Sequence, residues 1–460
     1  MGIDVSSVEL VSTVANHPSG RCSGSLSATA LPEVYARILQ LGDPEGKVRE
    51  AFEACGRAAP ALAAEIDALY RRFHIAGGKA ADAFFRGPSM AGMTPPRDVQ
   101  ILTVAATFAH VWRAKKAAPG RPIGINFLRK IDRILLFGIY GAMLGRADWI
   151  VMGAGDPGDI PAIMNAFARH EPAELAVPVA AVPRGTHRIR FDPKDLVGNM
   201  APPPRPAFYA IVSSHLQARA LALSAEKRPE GFVIEGPTAG GHNAPPVKGG
   251  RDARGYCVYG PEDDADLSAV AALGLPFWIG GSCGYPECLK GMGPWHRRIQ
   301  VGTLFALSKE SGMAPEVRHQ VLELIWKRRL EVATMANASP SMYPFKVALA
   351  PGTLGDDTVY AARKRVCDVG HLRSWRFHGD ELVGLCPAND PERYTGSGGP
   401  AWRTKGSMCL CNGLLAARGL SLEGETPVVT LGDIGSVRIL QNRLRRIEYT
   451  ASEAVDYLLS

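Results

Sequence analysis

The most chemically suggestive segment of the chain is a strand-like run that ends in a glycine pair and a histidine. It reads Gly231-Phe232-Val233-Ile234-Glu235-Gly236-Pro237-Thr238-Ala239-Gly240-Gly241-His242. Adjacent glycines at 240 and 241 let backbone amides press against a planar or phosphorylated ligand, because no Cβ holds it away. An imidazole at the same mouth moves protons near neutral pH. By itself Gly-Gly-His reads more simply as a flexible turn with a loop histidine. Two later segments change that reading. One strand-like run ends in Gly280-Gly281-Ser282 and the next in Gly302-Thr303, with a helix-length crossover between them. In (β/α)8 barrels the loops after the last two strands commonly hold a phosphate on backbone N–H groups. The hydroxyl of Ser282 or Thr303 adds a further donor there.

The ordered series extends along most of the chain. Gly124-Ile125-Asn126, Met152-Gly153-Ala154-Gly155-Asp156-Pro157, the 235–242 segment, Ile279-Gly280-Gly281-Ser282 and Gln300-Val301-Gly302-Thr303-Leu304-Phe305 follow one another. Over roughly residues 1–335 this series resembles the FMN-dependent nitronate monooxygenases, formerly called 2-nitropropane dioxygenases. The resemblance implies an α/β TIM barrel with FMN at its C-terminal mouth and His242 as catalytic base. It places Gly280, Gly281, Gly302 and Thr303 around the FMN phosphate and Asn126 against the flavin. Glu235 stands where the family usually has a flavin-contacting Gln, and Thr238 where it commonly has Glu. A Tyr-Pro-Phe-Lys-Val stretch at 343–347 takes the place of a Gly-Arg-rich segment. The cofactor expected is therefore FMN, and the partners are a small-molecule substrate and O2. An FMN-dependent enoyl reductase of lipid or polyketide type, and a non-catalytic flavin-binding partner protein, are the rival readings. No Gly-x-Gly-x-x-Gly follows a strand, so a tightly held nicotinamide is not indicated.

Short runs at 22–27, 122–126, 149–152, 208–212, 231–234, 276–279 and 298–301, most of them continuously apolar and the first rich in serine, are expected to be the strands that position these residues. Runs of that kind are buried on both faces, as in a parallel sheet. About a hundred mostly helical residues separate the first two runs, too many for one crossover. They form a large helical insertion, about 45–116. The βα rhythm stops near residue 335, which divides a barrel domain (1–335) from an irregular C-terminal accessory region (336–460). Seven strands are one short of a closed barrel. Residues 1–6 resemble the turn after the family's first strand, so that strand is expected to be missing; otherwise a segment near 84–90 must close the ring.

The accessory region holds Cys367, Cys386, Cys409 and Cys411, a spacing without the C-x2-C knuckle of compact tetrahedral sites. Free buried thiols, and no metal, are expected. Cys283 and Cys288 read as packing residues, and His371 and His378 as surface residues. Composition narrows the remaining choices. The 460 residues are 46% hydrophobic and 21% charged, with 50 Gly and 35 Pro, and no apolar run approaches the ~18 residues of a membrane span. A net charge of +7 with short basic clusters does not suit a nucleic-acid surface. No basic-then-apolar leader opens the sequence, and nine cysteines suit reduced thiols, so a cytoplasmic protein is expected. Self-association into a homo-oligomer is left open.

Overall fold

A computed structural model describes residues 2–80, 83–183, 185–290, 298–421 and 425–460. Its centre is one parallel sheet of seven strands. These are β1 (Gly24–Ser27), β2 (Ile123–Leu128), β3 (Trp149–Gly153), β4 (Ala207–Val212), β5 (Gly231–Glu235), β6 (Phe277–Gly280) and β7 (Ile299–Gln300). They lie side by side in chain order, so every neighbouring pair is parallel and joined by a crossover. Each overlaps one of the seven runs marked in the sequence, β1 being the serine-rich one. The sheet curls round a cavity lined from all seven strands by Ser25, Asn126, Val151, Tyr209, Val233, Trp278 and Gln300.

The ring is not closed: the sheet holds the seven strands counted in the sequence, one short of an eight-stranded barrel, and no eighth strand joins it among the described residues. β1 and β7 are the two edges of the sheet. The seam is filled by irregular chain and a helix pair rather than by a strand. Ser27 N–H donates to Ser6 O at 3.1 Å, while Gly312 N–H donates to Val5 O at 3.0 Å. Ser7 Oγ donates to Glu310 O at 2.9 Å. Residues 2–7 thus bridge from β1 to the chain after β7. Behind them, helix α1 (Val8–Ala15) packs on the C-terminal helix Ala451–Leu459 through Leu10, Val14, Ala451 and Val455. The segment 84–90 does not close the ring either. The Arg86 backbone hydrogen-bonds both ways with the Gln40 side chain, and Met90 O accepts from Arg133.

Among the described residues four α-helices separate β1 from β2: α2 (Leu31–Gln40), α3 (Lys47–Ala58), α4 (Ala63–Phe73) and α5 (Arg97–Ala117). The bundle begins before residue 45 and otherwise fills the expected insertion. α5 buries residues on nearly every side, the mark of a helix inside the core. It packs on α6 (Leu135–Leu144), where a Cβ on Gly141 would lie 2.5 Å from Val104 O. Glycine is needed for that approach. None of the described helices is long and apolar enough to cross a membrane.

The described residues between 336 and 460 are folded rather than irregular. β8 (Val332–Met335) pairs antiparallel with β9 (Phe345–Ala348), and β10 (Ser374–His378) with β11 (Glu381–Leu385). Short helices follow, among them Leu410–Ala417 and Gly435–Leu444. Phe345, Val347, Trp375, Leu410 and Leu415 belong to the same buried cluster as the sheet residues Ile125, Ile150 and Phe232. The two parts of the chain share one core.

Candidate functional site at the mouth of the sheet

β5 ends at Glu235, and the chain then turns sharply. Gly236 N–H donates to Gly280 O at 2.9 Å, tying this turn to the end of β6, and Ala239 N–H donates to Gly236 O at 3.1 Å. Gly241 follows with φ +87°, which glycine adopts without strain. The C-terminal region grips the loop from both sides. Gly241 N–H donates to Thr430 Oγ1 at 2.8 Å, and Lys346 N–H donates to Gly241 O at 2.9 Å. Asn243 N–H donates to Pro344 O at 2.9 Å, and the Phe345 ring meets the His242 ring edge-on, 4.9 Å between centroids. A Cβ on Gly240 would lie 2.9 Å from Gly432 N. The glycine pair therefore admits the backbone of residues 430–432, a close approach that its lack of side chains makes available to the chain itself.

One cavity of about 610 Å3 is lined by Asn126, Glu235, Gly240, His242, Gly280, Gly281, Ser282, Gly302 and Thr303. Gly241 is the exception among the singled-out residues: it lies buried beneath the turn. The volume falls within the ordinary range for a small-molecule site, about 300–1,000 Å3. At the far end, near the N-terminal ends of the strands, Tyr209 and Trp278 pack at 4.7 Å and Arg298 lies over the Trp278 ring. Trp149 Nε1 donates to Ser25 Oγ at 3.0 Å. These residues make an aromatic floor beneath a polar mouth.

His242 Nε2 lies 2.7 Å from Ser339 Oγ. Ser339 Oγ lies 2.7 Å from Ser341 Oγ, to which Lys130 Nζ donates at 3.2 Å. Burial, followed by the nearby charge of Lys130, holds the imidazole well below its ordinary 6.5, so His242 is neutral at physiological pH. Burial pushes the Glu235 carboxyl up to about 7, against the pull of Lys346 and Lys130. The same cause lowers the Lys130 ammonium to about 7 and that of Lys346 to about 8, with Glu235 opposing both. The mouth thus gathers a neutral imidazole, a carboxyl and two lysines, three of them poised near neutral pH.

Lys130, Lys346, Ser339 and Ser341 were not singled out by sequence reasoning. Lys130 follows Asn126 by four residues at the C-terminal end of β2, where side chains face the mouth, and that position was the available signal. Ser339 lies 97 positions after His242, with Ser341 behind it, and no local pattern announces them.

The fit of a flavin is testable on two features. Asn126 is buried, lines the cavity, and its Oδ1 has no hydrogen-bond partner. Such an acceptor is costly unless a ligand donor meets it. Gly302 has φ −105°, and a Cβ there would meet nothing within 4 Å, so this glycine borders open space. Thr303 Oγ1 accepts from Gly432 N–H at 2.8 Å, which leaves the hydroxyl proton free to donate. Gly281 differs. It has φ +93°, and a Cβ would lie 2.9 Å from Thr238 Oγ1 and 3.1 Å from Ala239 N, so it serves the turn itself. Asn126, Gly302 and Thr303, but not Gly281, have the features a flavin ring and phosphate would need.

All nine cysteines are free. In the C-terminal region the Cys367 and Cys386 thiols share a hydrogen bond, and Cys409 and Cys411 are close enough to act on Cys386 electrostatically. Among the described residues no group of three His, Cys, Asp or Glu side chains could hold a metal ion. His378 is exposed, but His371 is not the surface residue expected. It is 3% exposed and lies 3.0 Å from Glu33 Oε2, because the C-terminal region folds back onto α2.

An open, curled parallel sheet with a histidine at its C-terminal mouth defines the architecture. No family model matches this chain, and no curated relative does. Among solved structures it is similar to a FabK mutant from Thermotoga maritima, at 13% identity and a TM-score of 0.40, covering 77% of this chain and 79% of that one. It is also similar to the enoyl reductase domain of MlnA from the macrolactin biosynthesis cluster of Bacillus amyloliquefaciens. There the identity is 11% and the TM-score 0.41, over 80% of this chain and 86% of that domain.

Proposed function

We propose that the protein is an FMN-dependent oxidoreductase of the nitronate monooxygenase type, with His242 as the group that moves the substrate proton. The observation that carries this reading is the convergence on one cavity of His242, the unpartnered Asn126 Oδ1 and the open side of Gly302. Asn126 would hold the flavin ring, and Gly280, Ser282, Gly302 and Thr303 its phosphate. When bound, FMN supplies a two-electron acceptor that O2 can reoxidise. The protein's own contribution is acid–base. A neutral imidazole at the cavity wall takes a proton from carbon next to an activating group, or orients a carbanion already formed. The aromatic floor and residues 428–431 line the cavity beside His242.

The cavity supports a second reading. Its walls continue past the mouth to Leu10, Val14, Met313 and Leu414, more apolar length than a small nitroalkane fills. An enoyl reductase, taking hydride from NAD(P)H for a bulky acyl substrate, would use that length. Oxygen-free mixing of the FMN-loaded protein with a nitronate, and separately with NADPH, distinguishes them. Bleaching of flavin absorbance by the nitronate alone is expected. Bleaching by NADPH alone replaces the first reading with the second, and bleaching by neither overturns both.

A further inference from the structure

Four side chains stand in file from the cavity outward: His242, Ser339, Ser341 and Lys130, at 2.7, 2.7 and 3.2 Å. The Ser341 N–H also donates to Ser339 Oγ at 3.3 Å. Each serine hydroxyl has one proton to give, so the direction of the whole file is fixed by its end. An ammonium can only donate. With Lys130 charged, Ser341 accepts from it and donates to Ser339, and Ser339 donates to His242 Nε2. The ring proton must then sit on Nδ1. With Lys130 neutral, its lone pair accepts from Ser341 and every bond reverses. Nε2–H now donates to Ser339, and Nδ1 carries the lone pair. Both arrangements satisfy every hydroxyl in the file.

His242 lines the cavity, and Nδ1 has no hydrogen-bond partner among the described residues. The reversal therefore changes what the ring offers a ligand, from a donor to a base. We propose that Lys130, acting through Ser341 and Ser339, selects the tautomer of His242 and receives the proton that the histidine removes from substrate. This rests on the reading of His242 as the proton-moving group. Protons balance and no electron moves. One proton enters at Nδ1, Nε2 releases its own to Ser339, Ser339 releases one to Ser341, and Ser341 releases one to Lys130. The amine becomes ammonium and the ring is left protonated at Nδ1, unable to act again until Lys130 loses its proton to solvent.

The surroundings suit the task. Lys130 faces the Glu235 carboxyl, which favours the ammonium, and lies 3.8 Å above the Tyr343 ring, while burial opposes the charge and brings it to about 7. Lys346 also acts on Glu235, as does the chain's N-terminal ammonium. Glu235 titrates in the same range, so it needs its own control.

The test uses full-length protein with 15N-labelled histidine and long-range 1H–15N correlation, which reports which ring nitrogen is protonated. His242 is assigned by the signal lost in His242→Gln. The expected result is a crossover from the Nδ1–H to the Nε2–H tautomer as pH rises through about 7. Lys130→Arg should hold the Nδ1–H form throughout, and Ser339→Ala should abolish the pH dependence while Lys130 remains. Glu235→Gln should keep the crossover but move it to lower pH, because the ammonium loses its partner. One unchanging tautomer in the wild type, or a crossover that survives both Ser339→Ala and Lys130→Met, overturns the proposal. A crossover in a protein whose flavin no substrate reduces would leave this coupling standing and remove the oxidoreductase reading instead.

Discussion

His242 is held as a neutral ring against Phe345 and Ser339, so its replacement removes chemistry before it removes structure. His242→Asn should retain fold and bound flavin and lose about 10²–10⁴ in rate on a neutral substrate, while a preformed carbanion still reduces the flavin. Stopped-flow traces with the two substrate forms check this. Glu235 makes a stability prediction. Its carboxyl is raised to about 7 in the folded chain. The folded state therefore binds that proton more tightly than the unfolded one, so the stabilisation is complete below the ordinary value near 4.5 and is lost as pH rises through about 7. Glu235→Gln should melt close to wild type near pH 5 and above it near pH 8, roughly one unit beyond the titration. Thermal melts at the two pH values read the difference. At this scale the sequence shows the histidine, because glycine pairs at strand ends are local. It hides Ser339, Ser341 and Lys130, because their meeting is a property of the folded chain.

The seven strands were legible because parallel strands buried on both faces are written as apolar runs, and Phe232, Val233 and Ile234 are an instance. The C-terminal hairpins were not. β9 reads Phe-Lys-Val-Ala, with a buried lysine inside it, and its role is to meet a loop about a hundred residues away. Lys346 is tolerated there because its ammonium donates to Thr334 Oγ1 at 2.5 Å. The docking of residues 430–432 on the Gly240–Gly241 turn gives a third prediction. A Cβ on Gly432 would lie 2.4 Å from Thr238 O, so Gly432→Ala must displace one of two backbones. It should cost about 1–3 kcal/mol, as overpacking does. The amides of Gly241 and Gly432 should then exchange faster, as hydrogen-exchange mass spectrometry of the two peptides will show.

An open parallel sheet exposes two edges that invite pairing with other chains. Here residues 2–7, α1 and the C-terminal helix occupy the gap between β1 and β7, so the seam joins the two ends of the described chain. Leu10 is 4% exposed within that seam, and Leu10→Ala should cost about 2–5 kcal/mol. If the seam supports the cavity, the same variant should release flavin at a lower temperature than wild type, which flavin fluorescence during a melt measures. The count of seven strands was legible in the sequence, but a strand count cannot show irregular chain standing where an eighth strand would be.

The central claim is that this cavity holds FMN on its glycine mouth, and Gly302 tests it most directly. With φ −105° and open space around its Cβ position, Gly302→Val is compatible with the fold, whereas a side chain at Gly281 would distort the turn. The measurement is flavin occupancy by absorbance after purification in the presence of FMN, alongside circular dichroism. A yellow wild type is expected, and a Gly302→Val protein that is folded but depleted of flavin. Equal occupancy in the two, or a wild type that takes up no flavin, would contradict it.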